Sequence, residues 1–366
     1  MENKASNKKI KLGIFVVGSS GGVSTFILNY FSRMSEKYSI DLITMHIESL
    51  TLVNKFKRIG IRVIKIPSKK ESFVKNMTEM FKLIHFNQYD MVYAHMTLTN
   101  CFPLFVAWCC GVKVRISHSH LAPSYKSYFD KILSILTNVF CTDRLACGVA
   151  AGKYLYGKQK FEIINNAIDL NKYKFDEQKR ESMRLSLKIP NNAIVLGNVG
   201  RLDEQKNQIF LLEIFKKFFE KYPNSYLIIV GEGKLKKKIK LKIKELGLEN
   251  RVILTGLVDN VIDYLNVMDV FVLPSLFEGL SIAAIEAQAN GLPCVFSNTV
   301  SKETALLKEV RFCQLNKNID DWYSQIFKLY KLRGKINAED QLREKNYDIT
   351  KEAIKFDKWL TKKCRN

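Results

Sequence analysis

Two glutamates eight residues apart, Glu278 and Glu286, carry the sharpest chemical signal in this sequence. They lie in Pro274-Ser275-Leu276-Phe277-Glu278-Gly279-Leu280-Ser281-Ile282, which continues to Gly291-Leu292-Pro293. Val270–Leu273 reads as a strand, Glu278 as part of the loop behind it, and Glu286 as a member of the next helix, about two turns on. Ala283, Ala284, Ile285, Ala287 and Ala289 surround Glu286 in sequence. A carboxylate on so apolar a helix is costly unless it has polar partners, and a bound ribose diol would supply them. Either glutamate alone reads as an exposed side chain on a helix flank; the pair in this setting favours function.

Arg201 and Lys206 form the second candidate group, in Gly197-Asn198-Val199-Gly200-Arg201-Leu202-Asp203-Glu204-Gln205-Lys206-Asn207. This stretch ends a strand and precedes the amphipathic helix Ile209–Phe219, at the strand end where open α/β sheets bind ligands. Two fixed cations there suit a diphosphate, Arg through forked contacts and Lys as a point charge. The bland alternative is two solvated loop cations among 58 basic residues. A third group is the turn Gly18-Ser19-Ser20-Gly21-Gly22 between the strand Ile10–Val17 and the helix Val23–Met34. Gly21 and Gly22 let backbone N–H groups approach a phosphate at a helix N-terminus, or simply make a tight turn. The dinucleotide spacing G-x-G-x-x-G is missing. His118 and His120 follow the strand Val112–Ser117. Either can contact substrate or serve structure. With i,i+2 spacing and no third ligand candidate nearby, a metal site is not expected of them.

The elements that must position these residues alternate along the whole chain. Strands are expected at Ile10–Val17, Ile40–Met45, Ile61–Ile66, Met91–Tyr93, Val112–Ser117, Leu145–Cys147 and Glu162–Ile164. The rhythm restarts at Ile194–Val199, Tyr226–Val230, Val252–Leu254, Val270–Leu273, Cys294–Phe296 and Phe312–Leu315. Helical patterns between them predict parallel sheets with right-handed crossovers. Asn165–Asn192 is polar and turn-rich and is expected to link two units. Ile349, Ala353, Phe356 and Leu360 predict a closing helix.

At 366 residues the chain suits two α/β domains. With 47% hydrophobic and 26% charged residues it is not a disordered chain. Its net charge of +22 implies either an anionic partner (nucleic acid, an anionic membrane or phosphorylated substrates) or a surface that tolerates a basic bias. The eight cysteines have no zinc spacing, and Met1–Lys11 is polar with no apolar signal core behind it. Both predict a cytoplasmic chain with free thiols. Cys101–Val112, the most apolar window, is about half the ~20 residues a spanning helix needs. Two basic stretches with large apolar residues, Lys69–Phe86 and Tyr125–Phe140, could lie in a membrane interface, although core-packed helices with a basic outer face are the favoured reading. The Lys-rich helix Leu235–Leu246 reads as a solvated face.

The run Phe277-Glu278-Gly279-Leu280-Ser281 with Glu286 is similar to the E-x7-E motif of retaining family 4 glycosyltransferases. Gly200-Arg201-Leu202…Lys206 resembles that family's phosphate-binding segment. The Gly21-Gly22 turn, the histidine loop, Asn166-Ala167-Ile168-Asp169 and Leu273-Pro274-Ser275 stand in family order. Within the family, partly on Ser301-Lys302-Glu303, the chain resembles bacterial capsule or exopolysaccharide assembly enzymes. The resemblance implies a GT-B fold of class α/β, two Rossmann-like domains with parallel sheets facing across a cleft. Residues 1–170, with a crossing helix at about 346–366, would form the acceptor domain and 171–345 the donor domain.

It also implies roles. Arg201 and Lys206 would neutralise the donor diphosphate with no metal, consistent with the missing Asp-x-Asp, and no cofactor is expected. Glu286 would hold the ribose, Glu278 would lie near the donor sugar, and the amides of Gly279, Leu280 and Ser281 would contact sugar or phosphate. His120 or His118 would be the catalytic-region histidine, His120 preferred. Ser297-Asn298-Thr299-Val300 replaces the family's glycine-richer loop. The expected donor is a nucleotide-sugar, with UDP favoured, and the expected acceptor a polyprenyl-diphosphate-linked saccharide at an anionic inner membrane face. The competing readings are a NAD-dependent oxidoreductase, disfavoured by the glycine spacing, and a non-catalytic nucleotide-sugar-binding relative. A nucleic-acid partner has no binding module to support it.

Overall fold

The computed structural model describes residues 9–18, 21–34, 36–47, 50–121, 126–315 and 319–365. Ser19-Ser20 between β1 and Gly21, the start of the Lys-rich N-terminal stretch and residues 122–125 after the histidines lie outside the described residues. The chain forms two compact units, Met1–Ala167 with Asp348–Asn366, and Ile168–Tyr347.

The first unit holds a seven-stranded sheet: β1 (Ile10–Gly18), β2 (Tyr38–His46), β3 (Ile61–Lys65), β4 (Met91–Ala94), β5 (Val114–Ser119), β6 (Asp143–Ala146) and β7 (Glu162–Ile163). Their order is β3-β2-β1-β4-β5-β6-β7, all parallel. The second unit holds β8 (Ile194–Val199), β9 (Ser225–Val230), β10 (Val252–Gly256), β11 (Val270–Leu273), β12 (Cys294–Ser297) and β13 (Val310–Cys313). These six are also parallel, in the order β10-β9-β8-β11-β12-β13. Each sheet reverses direction beside its first strand, between β1 and β4 and between β8 and β11. Such switch points are where doubly wound sheets leave a crevice for ligands.

Both faces of each sheet are covered, which explains why the strands read as unbroken apolar runs. In the first unit one core gathers Leu12, Ile14 and Tyr93 with Phe26 and Tyr30, and another gathers Phe15, Ile43 and Val92 with Met80 and Leu104. In the second, Val195, Phe271 and Ile285 face one core while Leu196, Val272 and Phe215 face the other. The C-terminal helix Ile349–Arg365 adds Ile349, Ala353, Phe356 and Leu360 to the first unit's core. Phe356 meets Tyr30 edge-on at 5.4 Å, and the Asp357 carboxylate accepts from Tyr38 Oη at 2.9 Å.

Three local expectations change. β5 begins at Val114 rather than Val112, because the Val112 amide closes the preceding helix on Ala107 O at 2.9 Å. His118 is therefore inside a strand, not on a loop. β13 likewise starts at Val310, where it registers against Cys294. The stretch Asn165–Asn192 is no irregular linker, since it carries the helices Leu170–Tyr173 and Glu177–Ser186. Two of its arginines share one carboxylate inside the unit. Arg184, 1% exposed, donates to Asp269 Oδ2 at 2.9 Å, and Arg180 donates to Oδ1 at 2.5 Å. That satisfies charges which would otherwise be costly inside.

Candidate functional site

In the second unit the loops after β8 and β11 are stitched together. Leu276 N donates to Gln205 O at 2.8 Å, Gln205 Nε2 to Phe277 O at 3.1 Å, and Asn207 Nδ2 to Pro274 O at 3.2 Å. Below them the buried Asn198 donates to Val272 O at 2.8 Å across the switch point. These bonds bring Lys206 Nζ within 2.5 Å of Glu278 Oε2, with only 12% and 13% of the two side chains exposed. Screening is weak at such a pair, so each charge depends on the other. Arg201 is instead exposed, with Nε 3.5 Å from Asp203.

The Gly200–Arg201 turn has a second wall that the sequence reading passed over, Gly231-Glu232-Gly233 behind β9. A Cβ on Gly231, at φ +143°, would lie 2.0 Å from Gly200 O. Leu202 N also donates to Glu232 O at 2.9 Å. The signal was a strand ending in glycine-x-glycine, beside another strand that ends in a glycine turn.

Glu278 is in the loop, paired by a bridge to Val300, and its carbonyl accepts from Ser301 N at 3.1 Å. Ser297 and Thr299, from the loop that departs from the family pattern, both donate to Ser275 O, at 2.6 and 2.7 Å. Those hydroxyls brace the Glu278 loop where glycines would leave it loose. Gly279, Leu280 and Ser281 lead into the helix Ile282–Ala289, whose N-cap Ser281 makes no side-chain cap bond. Glu286, half-buried, accepts from Tyr173 Oη at 2.6 Å. The polar partner that an apolar helix demands is thus a tyrosine from the polar stretch read as linker. Desolvation raises the Glu286 carboxyl to about 7, and the bond from Tyr173 and the positive charge of the nearby Lys172 oppose that rise. Tyr173 is held in turn, with its carbonyl accepting from Asn290 Nδ2 at 2.9 Å.

In the first unit the switch point is built of glycine and imidazole. Gly21, at φ +81°, is the N-cap of the helix Gly22–Phe31. His118 is fully buried, with Nδ1 2.6 Å from Tyr93 Oη, and His120 is half-buried. A third histidine, His95, follows directly on β4 and places Nδ1 2.8 Å from His120 Nε2. The expectation of no third ligand near the histidine pair therefore fails. His95 is 25 residues away in sequence but one strand away in space, because β4 and β5 are adjacent and parallel. Burial depresses all three rings, His120 to about 3, so all are neutral at neutral pH. Phe26 lies over them, with centroids 5.0 to 5.7 Å away.

Two doubly wound parallel sheets, with a cation–carboxylate pair at one switch point, define the class of GT-B glycosyltransferases. The family model for glycosyl transferases group 1 matches residues 179–349. The chain is 30% identical over 316 residues to the Escherichia coli UDP-Gal:alpha-D-GlcNAc-diphosphoundecaprenol alpha-1,3-galactosyltransferase, covering 81% of each chain. It is 28% identical over 339 residues to the putative glycosyltransferase EpsF of Bacillus subtilis, covering 88% of each. Among solved structures, Anabaena HepE in complex with UDP-glucose superposes with a TM-score of 0.82 at 17% identity, over 96% of this chain and all of that one. The chain belongs to the glycosyl transferases group 1 family.

Proposed function

We propose that the chain transfers a sugar, with retention and without a metal at the phosphates, from a UDP-sugar to a polyprenyl-diphosphate-linked saccharide in capsule or exopolysaccharide assembly. The observation carrying this reading is the Lys206–Glu278 pair in the β8/β11 crevice, beside the uncapped helix at Ser281. A diphosphate entering there would take Lys206 as counter-ion, Arg201 would swing onto it from solvent, and the amides of Gly279, Leu280 and Ser281 would face it. Neutralising the departing diphosphate lowers the barrier to breaking the glycosidic bond. Glu278, released from Lys206, would face positive charge developing at the anomeric carbon. Glu286 would take the ribose hydroxyls, and Gly21 and Gly22 would admit the donor close to the backbone. His120, or His118 behind it, is the histidine of the reacting region. Retention fits front-face attack, with the departing phosphate helping to deprotonate the acceptor.

The donor and acceptor classes follow what the named relatives act on, an undecaprenyl-diphosphate-linked sugar for the E. coli enzyme and UDP-glucose in the HepE complex. A peripheral place on an anionic inner membrane face is supported by the helix Tyr128–Phe140. That helix exposes Phe129, Ile135 and Val139 by 61% to 65% and includes Lys131. No helix among the described residues is long and apolar enough to cross a membrane.

Thermal unfolding with UDP, GDP, ADP and NAD tests the donor site. UDP at about 100 times its dissociation constant should add roughly 2.7 kcal/mol to the native state, and Glu286→Ala should weaken that gain. A response to NAD alone would overturn the transferase reading, and silence from every nucleotide would favour a non-catalytic relative. Flotation with anionic liposomes at low salt tests the membrane surface, and absence of binding would sink it.

A further inference from the structure

His120 is the half-buried member of the histidine cluster, and its two ring nitrogens differ in their surroundings. Nε2 lies 2.8 Å from Nδ1 of His95, while Nδ1 has no hydrogen-bond partner among the described residues. His95 is 3% exposed, and its own outer nitrogen, Nε2, is buried without a partner. We propose that His95 is a positioning residue that holds His120 in the Nδ1–H tautomer, so that His120 meets substrate as a hydrogen-bond donor and not as a base. This rests on the transfer reading, which puts His120 in the reacting region.

The proton count carries the inference. A neutral imidazole has one N–H and one lone pair, and burial keeps both rings neutral. The two rings thus hold two protons, one of them in the 2.8 Å contact between His95 and His120. The other has two seats. If His120 donates across the contact, the second proton sits on His95 Nε2, as a buried N–H with no acceptor. Orphaned buried donors are rarer in folded proteins than acceptors left short. If His95 donates, its Nε2 keeps only a lone pair, and the second proton sits on Nδ1 of the half-buried ring. This arrangement strands no N–H. Which nitrogen of a histidine is protonated follows from the bond that the other one makes.

His118 cannot take this part. Its Nδ1 is engaged with Tyr93 Oη at 2.6 Å and its Nε2 is buried, so neither nitrogen is open to a guest. His95 is itself held firmly. Its backbone N–H donates to Phe15 O at 2.8 Å, and its ring lies 4.0 Å from that of Tyr93, centroid to centroid. An N–H offered by His120 suits an oxygen of the nucleotide-sugar, on the sugar or on the departing phosphate. With His120 as donor and His118 closed off, removal of the acceptor's proton falls to that phosphate.

The test is proton–nitrogen NMR correlation of the full chain carrying ¹⁵N-labelled histidine, at neutral pH and without substrate. The double variant His46→Asn/His85→Asn leaves only the cluster's three rings in the spectrum. His120 should show its proton on Nδ1. His95→Leu, which removes the donor, should shift that proton to Nε2 and lower kcat/KM about tenfold, mostly through kcat, the scale of one lost hydrogen bond. His95→Asn, whose amide can donate from the place of Nδ1, should restore both. His120→Asn keeps a donor where Nδ1 stood and should retain more activity than His120→Gln, which keeps one only where Nε2 stood. UDP-induced stabilisation should be equal in those two variants if the oxygen is the sugar's, and weaker in His120→Gln if it is the phosphate's. A wild-type proton on Nε2, kcat/KM untouched by His95→Leu, or equal activity in the two His120 variants would overturn the proposal. If His95→Leu does not fold by circular dichroism, the wild-type tautomer and the His120 variants decide. Because the tautomer is read without substrate, a wild type that transfers nothing counts against the transfer reading, and a wrong tautomer counts against the role of His95.

Discussion

At the β1/β4 junction of the first unit stand two glycines and three neutral imidazoles; at the β8/β11 junction of the second stand Lys206, Arg201, Glu278 and, on the following helix, Glu286. The strand orders match, so topology places the crevice and the side chains decide what it can do. The second unit keeps its charges by pairing them: Lys206 on Glu278, Arg184 on Asp269. The first gives up charge, since burial leaves its imidazoles unprotonated. A crevice of fixed ions suits a diphosphate, and a crevice of neutral imidazoles and aromatic edges suits an uncharged guest.

The sharpest way to break this contrast is Lys206→Met. Nucleotide-induced stabilisation should vanish, and kcat/KM with any UDP-sugar the wild type uses should fall by about 10²–10³. Because the substitution strands a part-buried Glu278, Lys206→Met/Glu278→Gln should regain stability but not activity; recovery of both would remove Lys206 from the donor site. Next comes Gly231→Ala, whose Cβ would press on Gly200 O and should cost about 3 kcal/mol in urea unfolding. Gly21→Ala, where a Cβ meets nothing within 4 Å but φ is +81°, should cost only about 1 kcal/mol. Equal costs would mean that the two glycine turns are built alike.

The units should also answer pH with opposite slopes. Glu286 holds its proton to about 7 in the native state against 4.5 ordinarily, so the native form binds more protons between those values. Its contribution is present below about 4.5 and is lost as pH rises through about 7. The histidines are depressed below their ordinary 6.5, so the unfolded chain binds more protons, and their contribution is lost as pH falls below 6.5. Trp322 reports the second unit, Trp108 and Trp359 the first. Single-tryptophan variants followed in urea from pH 4.5 to 7 should separate the slopes; parallel curves would refute the contrast. The smallest effect is Tyr173→Phe. It removes a bond that lowers the Glu286 carboxyl, so UDP affinity should weaken about threefold at neutral pH and recover at higher pH.

The strands were legible because buried parallel strands leave an apolar run that no other element imitates; Ile194–Val199 and Val270–Leu273 match their expected bounds. Where a helix end and a strand start share apolar residues, as at Val112, the pattern could not say which element owns them. Glu278, Glu286 and Lys206 were legible as candidates because charge is conspicuous on glycine-rich loops and an alanine-rich helix. Tyr173 and His95 were not. Each comes from a remote stretch whose own pattern is ordinary, and only strand order or a helix inside an apparent linker brings it to the site.

The helix Ile349–Arg365 has a consequence in time. The second unit is one continuous stretch, whereas the first needs a helix separated from it by that whole unit. During synthesis, Ile168–Tyr347 can reach its native state while Phe26, Tyr30 and Phe31 still await Phe356. The second unit can mature within its own stretch, and the core of the first closes only once Ile349–Arg365 has been made.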